Sequence, residues 1–228
     1  MNRRKMRVLH IGKYYPPEKG GIETHVSGLC EALAEHTSVS VLVANRGRNT
    51  LREQVNGVPV TRAATLLNVA GAPVCPAMVG LIRQSRPDLI HLHAPNPGGV
   101  LAILGANYRG PLVATYHSDV VRQRLLNSLF QPVMDHLLRR STGIAATSEA
   151  YVSASPVLRR FRERCRIIPY AIDTQAMDAV TPEQVRRLRD RYPGPLILSV
   201  GRLVSYKGFD YLIRAMRQVD ATLLLVGS

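Results

Sequence analysis

The sequence predicts a doubly wound α/β protein built on parallel sheets. Short runs rich in Val, Ile and Leu recur at residues 8–11, 39–44, 89–92, 112–116, 143–146 and 166–168. Several are apolar on successive residues, as strands covered on both faces must be. Between the first two, residues 23–36 place Val26, Leu29, Cys30 and Leu33 at helical spacing on one face. Strands alternating with amphipathic helices require crossover connections, and therefore a parallel sheet.

Near residue 170 the pattern changes. Pro169 closes the sixth strand, and Thr181-Pro182-Glu183 opens a short charged helix through Val185, Leu188 and Arg191. Tyr192-Pro193-Gly194-Pro195 then breaks the chain. A strand at 196–200 follows, then a helix with Phe209, Leu212, Ile213 and Met216 on one face, then a strand at 222–226. The expected organisation is a first domain at 1–175, a linker helix and hinge at 176–194, and the start of a second doubly wound domain at 195–228. One β-α-β unit leaves strand edges and a sheet face uncovered, so this second domain is expected to be truncated.

A hydrophobic share of 46% with 20% charged residues belongs to a folded chain. No apolar run approaches the roughly 20 residues of a spanning helix. The first 17 residues hold too brief an apolar core for a secretory signal, so a cytoplasmic protein is expected. Cys30, Cys75 and Cys165 are odd in number and widely spaced, which reads as free thiols. The net charge of +14 comes from 26 arginines and four lysines, Lys5, Lys13, Lys19 and Lys207, against 16 acids. Such a surface attracts phosphates in nucleotides, nucleic acids or lipids. A nucleic-acid binder would interleave the charge with stacking aromatics. Trp is absent and Phe numbers three, so nucleic acid is not the expected partner.

Four segments could carry chemistry. Gly20-Gly21 stands where the first strand turns into the first helix, and a helix start offers free N–H groups to an anion. An ordinary glycine turn is the alternative. His117-Ser118-Asp119 follows a strand at its carboxyl end, where ligands gather in open α/β sheets. His91 and His93 face one side of their strand, but no third ligand stands near them in sequence. His91 therefore reads as structural, and His93, nearer the strand end, as lining the cleft. No Asp-x-Asp occurs to hold a metal diphosphate. Arg202 and Lys207 project from the first strand-to-helix turn after residue 195, where a forked guanidinium and a mobile ammonium can grip a diphosphate together.

In order, GGIETHV, PDLIHLHAP, TYHSD, ATSEAYVSASPVLRRF, IIPYAIDT and GRLVSYKGFDYLIRAM resemble the retaining GT-B glycosyltransferases of family 4, over essentially the whole chain. That family includes bacterial mannosyl-, glucosyl- and rhamnosyltransferases. The resemblance implies two Rossmann-like lobes, with the acceptor side first. It implies a GDP- or UDP-linked sugar as co-substrate, no other cofactor and no metal. The acceptor would be a saccharide or a lipid-linked sugar, in cell-surface polysaccharide or glycolipid synthesis. By the same resemblance His117 is the catalytic contact to the transferred sugar. Gly20, Gly21, Arg202 and Lys207 would meet donor phosphate, with His93, Ser118 and Asp119 along the acceptor cleft.

The chain departs from the family where Ile-Pro-Asn-Gly-Ile-Asp is common: it reads Ile168-Pro169-Tyr170-Ala171-Ile172-Asp173, and no site role is assigned there. The family's acidic pair for donor sugar and ribose would lie beyond Ser228. Residues 120–168 hold nine arginines, from Arg122 and Arg124 to Arg164 and Arg166, against Asp135, Glu149 and Glu163. Leu125, Leu126, Leu129, Phe130, Val133 and Leu137 lie among them. Peripheral attachment to the anionic inner face of the plasma membrane is one expectation, and an amphipathic core helix with a solvated basic face is the other. Rival functions are an inactive lobe that binds only an acceptor or partner, another nucleotide-sugar enzyme such as an epimerase, and a basic nucleic-acid binder.

Overall fold

A computed structural model describes residues 4–120, 124–171, 174 and 179–227. Arg122, Ile172 and Asp173, and the side chains of Arg124, Leu125 and Leu126, lie outside the described residues. The chain divides into two compact units, Met1–Ala171 and Ile172–Ser228.

The first unit begins with β1 (Arg7–Ile11), α1 (Gly21–Ala34) and β2 (Ser38–Ala44). Two hairpins follow: β3 (Leu51–Val55) with β4 (Val58–Ala63), and β5 (Leu67–Val69) with β6 (Ala72–Val74). Next come α2 (Ala77–Ser85), β7 (Leu89–Ala94), α3 (Pro97–Gly105), β8 (Leu112–Tyr116), α4 (Arg124–Arg140) and β9 (Gly143–Ala146). The unit closes with α5 (Glu149–Ala154), α6 (Pro156–Arg160) and β10 (Cys165–Ile167). Its main sheet runs β10-β9-β8-β7-β1-β2-β4-β3, parallel throughout except at the edge strand β3.

Strand order reverses beside β1, which pairs with β2 on one side and β7 on the other. This is the switch point at which doubly wound sheets open a crevice at their carboxyl ends. Ile11, Leu42, Ile90, Leu92, Val100, Ile103, Leu112 and Ile144 fill one core on this sheet. A smaller core of Tyr15, Val26, Cys30, Val39, Val41, Val43, Val58 and Val60 seats α1.

The two hairpins were not anticipated from the sequence. Each turns on two residues with positive φ, Asn56 at 50° with Gly57 at 80°, and Ala70 at 49° with Gly71 at 84°. That pair of conformations matches the twist of adjacent antiparallel strands. The β3–β4 hairpin extends the sheet past β2.

The second unit holds α7 (Pro182–Arg191), β11 (Leu196–Val200), α8 (Phe209–Ala215) and β12 (Thr222–Val226). Thr181 caps α7 through a reciprocal pair of bonds with Gln184. β11 and β12 form a parallel pair. At their carboxyl ends Gly201 donates its N–H to Val226 O at 2.9 Å. A side chain on Gly227 would overlap Gly201 O, so this strand end requires glycine.

Candidate active site

At the switch point the sheet register assembles a histidine cluster. His10 lies opposite His91 across β1 and β7, and His93 lies opposite Thr115 across β7 and β8. His91 and His93 share a face by the two-residue strand period. His117 follows β8 and donates its backbone N–H to Ala94 O at 2.8 Å, which fixes its entry. His25 reaches in from α1, its ring 5.5 Å from that of His117 and 4.2 Å from that of Tyr170. Five of the chain's seven histidines meet here.

Hydrogen bonds connect them in a row. His10 Nδ1 is 3.1 Å from His93 Nε2, His93 Nδ1 is 3.1 Å from His117 Nε2, and His117 Nδ1 is 2.5 Å from the Tyr170 hydroxyl. His91 Nε2 pairs separately with Thr115 Oγ1 at 2.7 Å. His10 and His93 are buried, whereas His117 is half-buried and Tyr170 is 41% exposed. The row therefore runs from the sheet interior to the surface.

Burial keeps these rings neutral. Loss of solvent lowers His10 to about 4, with the nearby His25 adding to the effect. Desolvation and the neighbouring rings bring His91 to about 3 and His117 to about 4. His93 is pushed well below its ordinary value for the same reasons, and burial lowers His25. Burial raises the Tyr170 phenol, so its proton stays on oxygen.

The reading that His91 and His93 lack a third companion is corrected. His10 supplies one from a strand eighty residues away, because parallel pairing of β1 with β7 sets it beside them. The ligand atoms of this trio lie within 4.8 Å of one another. A tetrahedral zinc with bonds of about 2.0–2.1 Å would need nitrogens about 3.3 Å apart. The trio is wider than a closed site, and hydrogen bonds already engage both nitrogens of His93.

Gly20 and Gly21 stand at the start of α1, close to solvent. Gly20 has extended φ, 177°, and no side chain caps the helix. The Glu23 carboxylate curls back against Gly20, while the space at Gly21 is open. Two arginines pin the loop leading there. Arg62, buried on β4, donates to Tyr15 O at 3.1 Å, to Pro16 O, and to Glu53 Oε1 at 2.5 Å. Arg46 grips Glu18 through two bonds of 2.9 and 2.6 Å.

Ser118 is exposed beside His117. Asp119 is held by its neighbours: its Oδ1 accepts from the Tyr116 hydroxyl at 3.2 Å and from Ser155 Oγ at 2.9 Å. In the second unit Arg202 donates to the Tyr206 hydroxyl at 3.1 Å, and Lys207 Nζ lies 5.9 Å from the same ring's centre. Tyr206 thus sets the two cations on one exposed turn. Neither forms an ion pair with a carboxylate among the described residues.

The profile of Glycosyltransferase Family 4 matches residues 19–176, more than half the chain. The chain belongs to glycosyltransferase family 4. It is 31% identical to D-rhamnosyltransferase WbpZ of Pseudomonas aeruginosa over 98% of this chain and 60% of that protein. It is 28% identical to O-antigen chain mannosyltransferase C of Escherichia coli, over 97% of this chain and 61% of that one. The family 4 chain thus spans about 60% of the length of these relatives. Sucrose-phosphate synthase from Thermosynechococcus elongatus superposes with a TM-score of 0.73 at 21% identity, over 98% of this chain and 63% of that one. HepE of Anabaena, in complex with UDP-glucose, gives 0.71 at 16% identity, over 96% and 59%. These likenesses establish a GT-B fold.

Proposed function

We propose that this family 4 chain carries the acceptor-side lobe and the first donor-side element of an enzyme that moves a hexose from a nucleoside-diphosphate sugar, with retention and without a metal. The observation that supports it most is the half-buried His117 at the carboxyl end of β8, beside the switch-point crevice of a GT-B sheet. The rhamnosyl- and mannosyltransferase relatives favour a hexose, and an acceptor in O-antigen or glycolipid synthesis. In this reading Gly20 and Gly21 admit the donor phosphate and acceptor. Arg202 and Lys207 meet the negative charge that develops on the departing diphosphate, an effect strongest for preorganised cations. His93, Ser118 and Asp119 border the acceptor cleft, with Asp119 acting as a brace.

Saturation-transfer NMR with GDP-mannose, UDP-glucose and a short oligonucleotide tests the reading, since it registers weak binding. Signal from a nucleotide sugar, diminished in an Arg202→Ala/Lys207→Ala double variant, is the expected result. A silent nucleotide sugar, or an equal signal from the oligonucleotide, would overturn it.

A further inference from the structure

The row His10–His93–His117–Tyr170 has a consequence for what His117 can recognise. A neutral imidazole carries one N–H, so each ring donates at one nitrogen and accepts at the other. Fixing one bond in such a row therefore fixes all of them. The bond at the outer end is decided by chemistry: a phenol O–H is a stronger donor than a neutral imidazole N–H, and an imidazole nitrogen is a stronger acceptor than a phenol oxygen. Tyr170 accordingly donates to His117 Nδ1 across 2.5 Å. His117 must then carry its proton on Nε2 and donate to His93 Nδ1, and His93 likewise donates from Nε2 to His10 Nδ1. His10 ends the row with a buried Nε2–H that has no hydrogen-bond partner among the described residues.

We propose that Tyr170 sets the donor direction of the row and that His93 and His10, as positioning residues, continue it, so that His117 is held as the Nε2–H tautomer with its outward Nδ1 a hydrogen-bond acceptor for a sugar hydroxyl. Tyr170 occupies the place of that hydroxyl in the free protein. A phosphate oxygen, an acceptor itself, is excluded from the same spot. Tyr170 also gains a role in this way, at a position where the family resemblance assigned none. It stands next to Ala171, where the first unit ends. The proposal rests on the reading of His117 as the contact to the transferred sugar, and it adds which residues fix the donor and acceptor atoms of that contact.

The test is a two-bond 1H–15N correlation on histidine-labelled protein at about pH 7.5, where buried imidazoles are neutral. It reads the tautomer of each ring directly. The expected result is an Nε2–H tautomer at His117, His93 and His10. In Tyr170→Phe, an exposed substitution, shifts should move at all three rings. In a Tyr170→Phe/His93→Gln double variant the change should stop at His117, because glutamine breaks the row of rings. An Nδ1–H tautomer at His117 or His93, or a Tyr170→Phe change that never reaches His10, overturns the proposal. Tyr170→Phe and the wild-type tautomers decide it alone if the double variant does not fold. The spectra contain no nucleotide sugar, so failure of nucleotide-sugar binding would show only in the saturation-transfer experiment.

Discussion

If donor phosphate enters at Gly20-Gly21 as proposed, Glu23 stands in its way. Its carboxylate lies against Gly20 at the start of α1, in the positive end of the helix dipole. A phosphate arriving there must displace a like charge. Glu23→Gln should therefore tighten binding of a nucleoside diphosphate by roughly two- to five-fold, the equivalent of about 0.3–1 kcal/mol at a helix terminus. An NMR titration with GDP reads this, and unchanged or weaker binding would remove Gly20-Gly21 from the phosphate site. The histidine row makes a second prediction. In the unfolded chain these rings take up protons near 6.5, whereas folded His10 and His117 do so near 4. Between those values the unfolded state binds more protons, so stability is fully present above about pH 6.5 and declines as pH falls toward 4. Urea midpoints should drop between about pH 7 and 5, and flat midpoints across that range would contradict neutral buried rings. His93 and His117 were legible in the sequence, because each sits near a strand's carboxyl end. His10 was not, since only strand pairing brings it to His91 and no local spacing encodes that.

At the scale of elements, the parts that hold the site are packing contacts across the sheet. The start of α3 packs so closely on β1 that a methyl on Gly99 would lie 2.9 Å from Ile11 Cγ2 and 2.8 Å from Asn96 Nδ2. Alanine ordinarily favours a helix over glycine by about 0.5–1 kcal/mol. Here overpacking against a buried isoleucine, about 1–3 kcal/mol, should exceed that gain. Gly99→Ala is thus expected to lower the thermal midpoint, and a raised midpoint would show that α3 can shift. Arg62 braces the loop that carries Gly20 through Tyr15 O and Pro16 O. Arg62→Met would remove the donor to Pro16 O and leave Glu53 without its partner. Faster hydrogen exchange at residues 12–20, with the rest of the sheet unchanged, is the expected signature. The main parallel strands were legible because their apolar runs are continuous. The β3–β4 hairpin carried a local signal, Asn56-Gly57, but Leu51–Val55 is largely exposed and offers no apolar run.

At the scale of the molecule, the basic surface divides by the kind of partner each arginine has. Arg160 and Arg162 are paired with the carboxylates of Asp135 and Glu149, which cancel their charge. Arg140, Arg164 and Arg166 instead donate to carbonyls, Tyr108 O, Ser141 O, and Glu163 O with Cys165 O. A carbonyl fixes a guanidinium without neutralising it, so these three remain sources of positive potential. No described helix is long and apolar enough to cross a membrane. Leu129 on α4 is 71% exposed, whereas Leu137 and Leu138 are buried in the core. Among its described residues the apolar face of α4 is therefore mostly committed to the fold, and the attraction to a membrane expected from them is electrostatic. Each arginine near an anionic surface contributes about 1 kcal/mol, falling away within a Debye length. Vesicles rich in phosphatidylserine should then pellet the protein at about 50 mM salt, release it at about 300 mM, and leave it behind when the lipid is neutral. Arg164→Gln/Arg166→Gln should weaken the pelleting several-fold, while loss of an already paired arginine, as in Arg162→Gln, should matter less. Binding that ignores salt would point to inserted apolar side chains, and absence of binding at low salt would leave the arginines to structure alone.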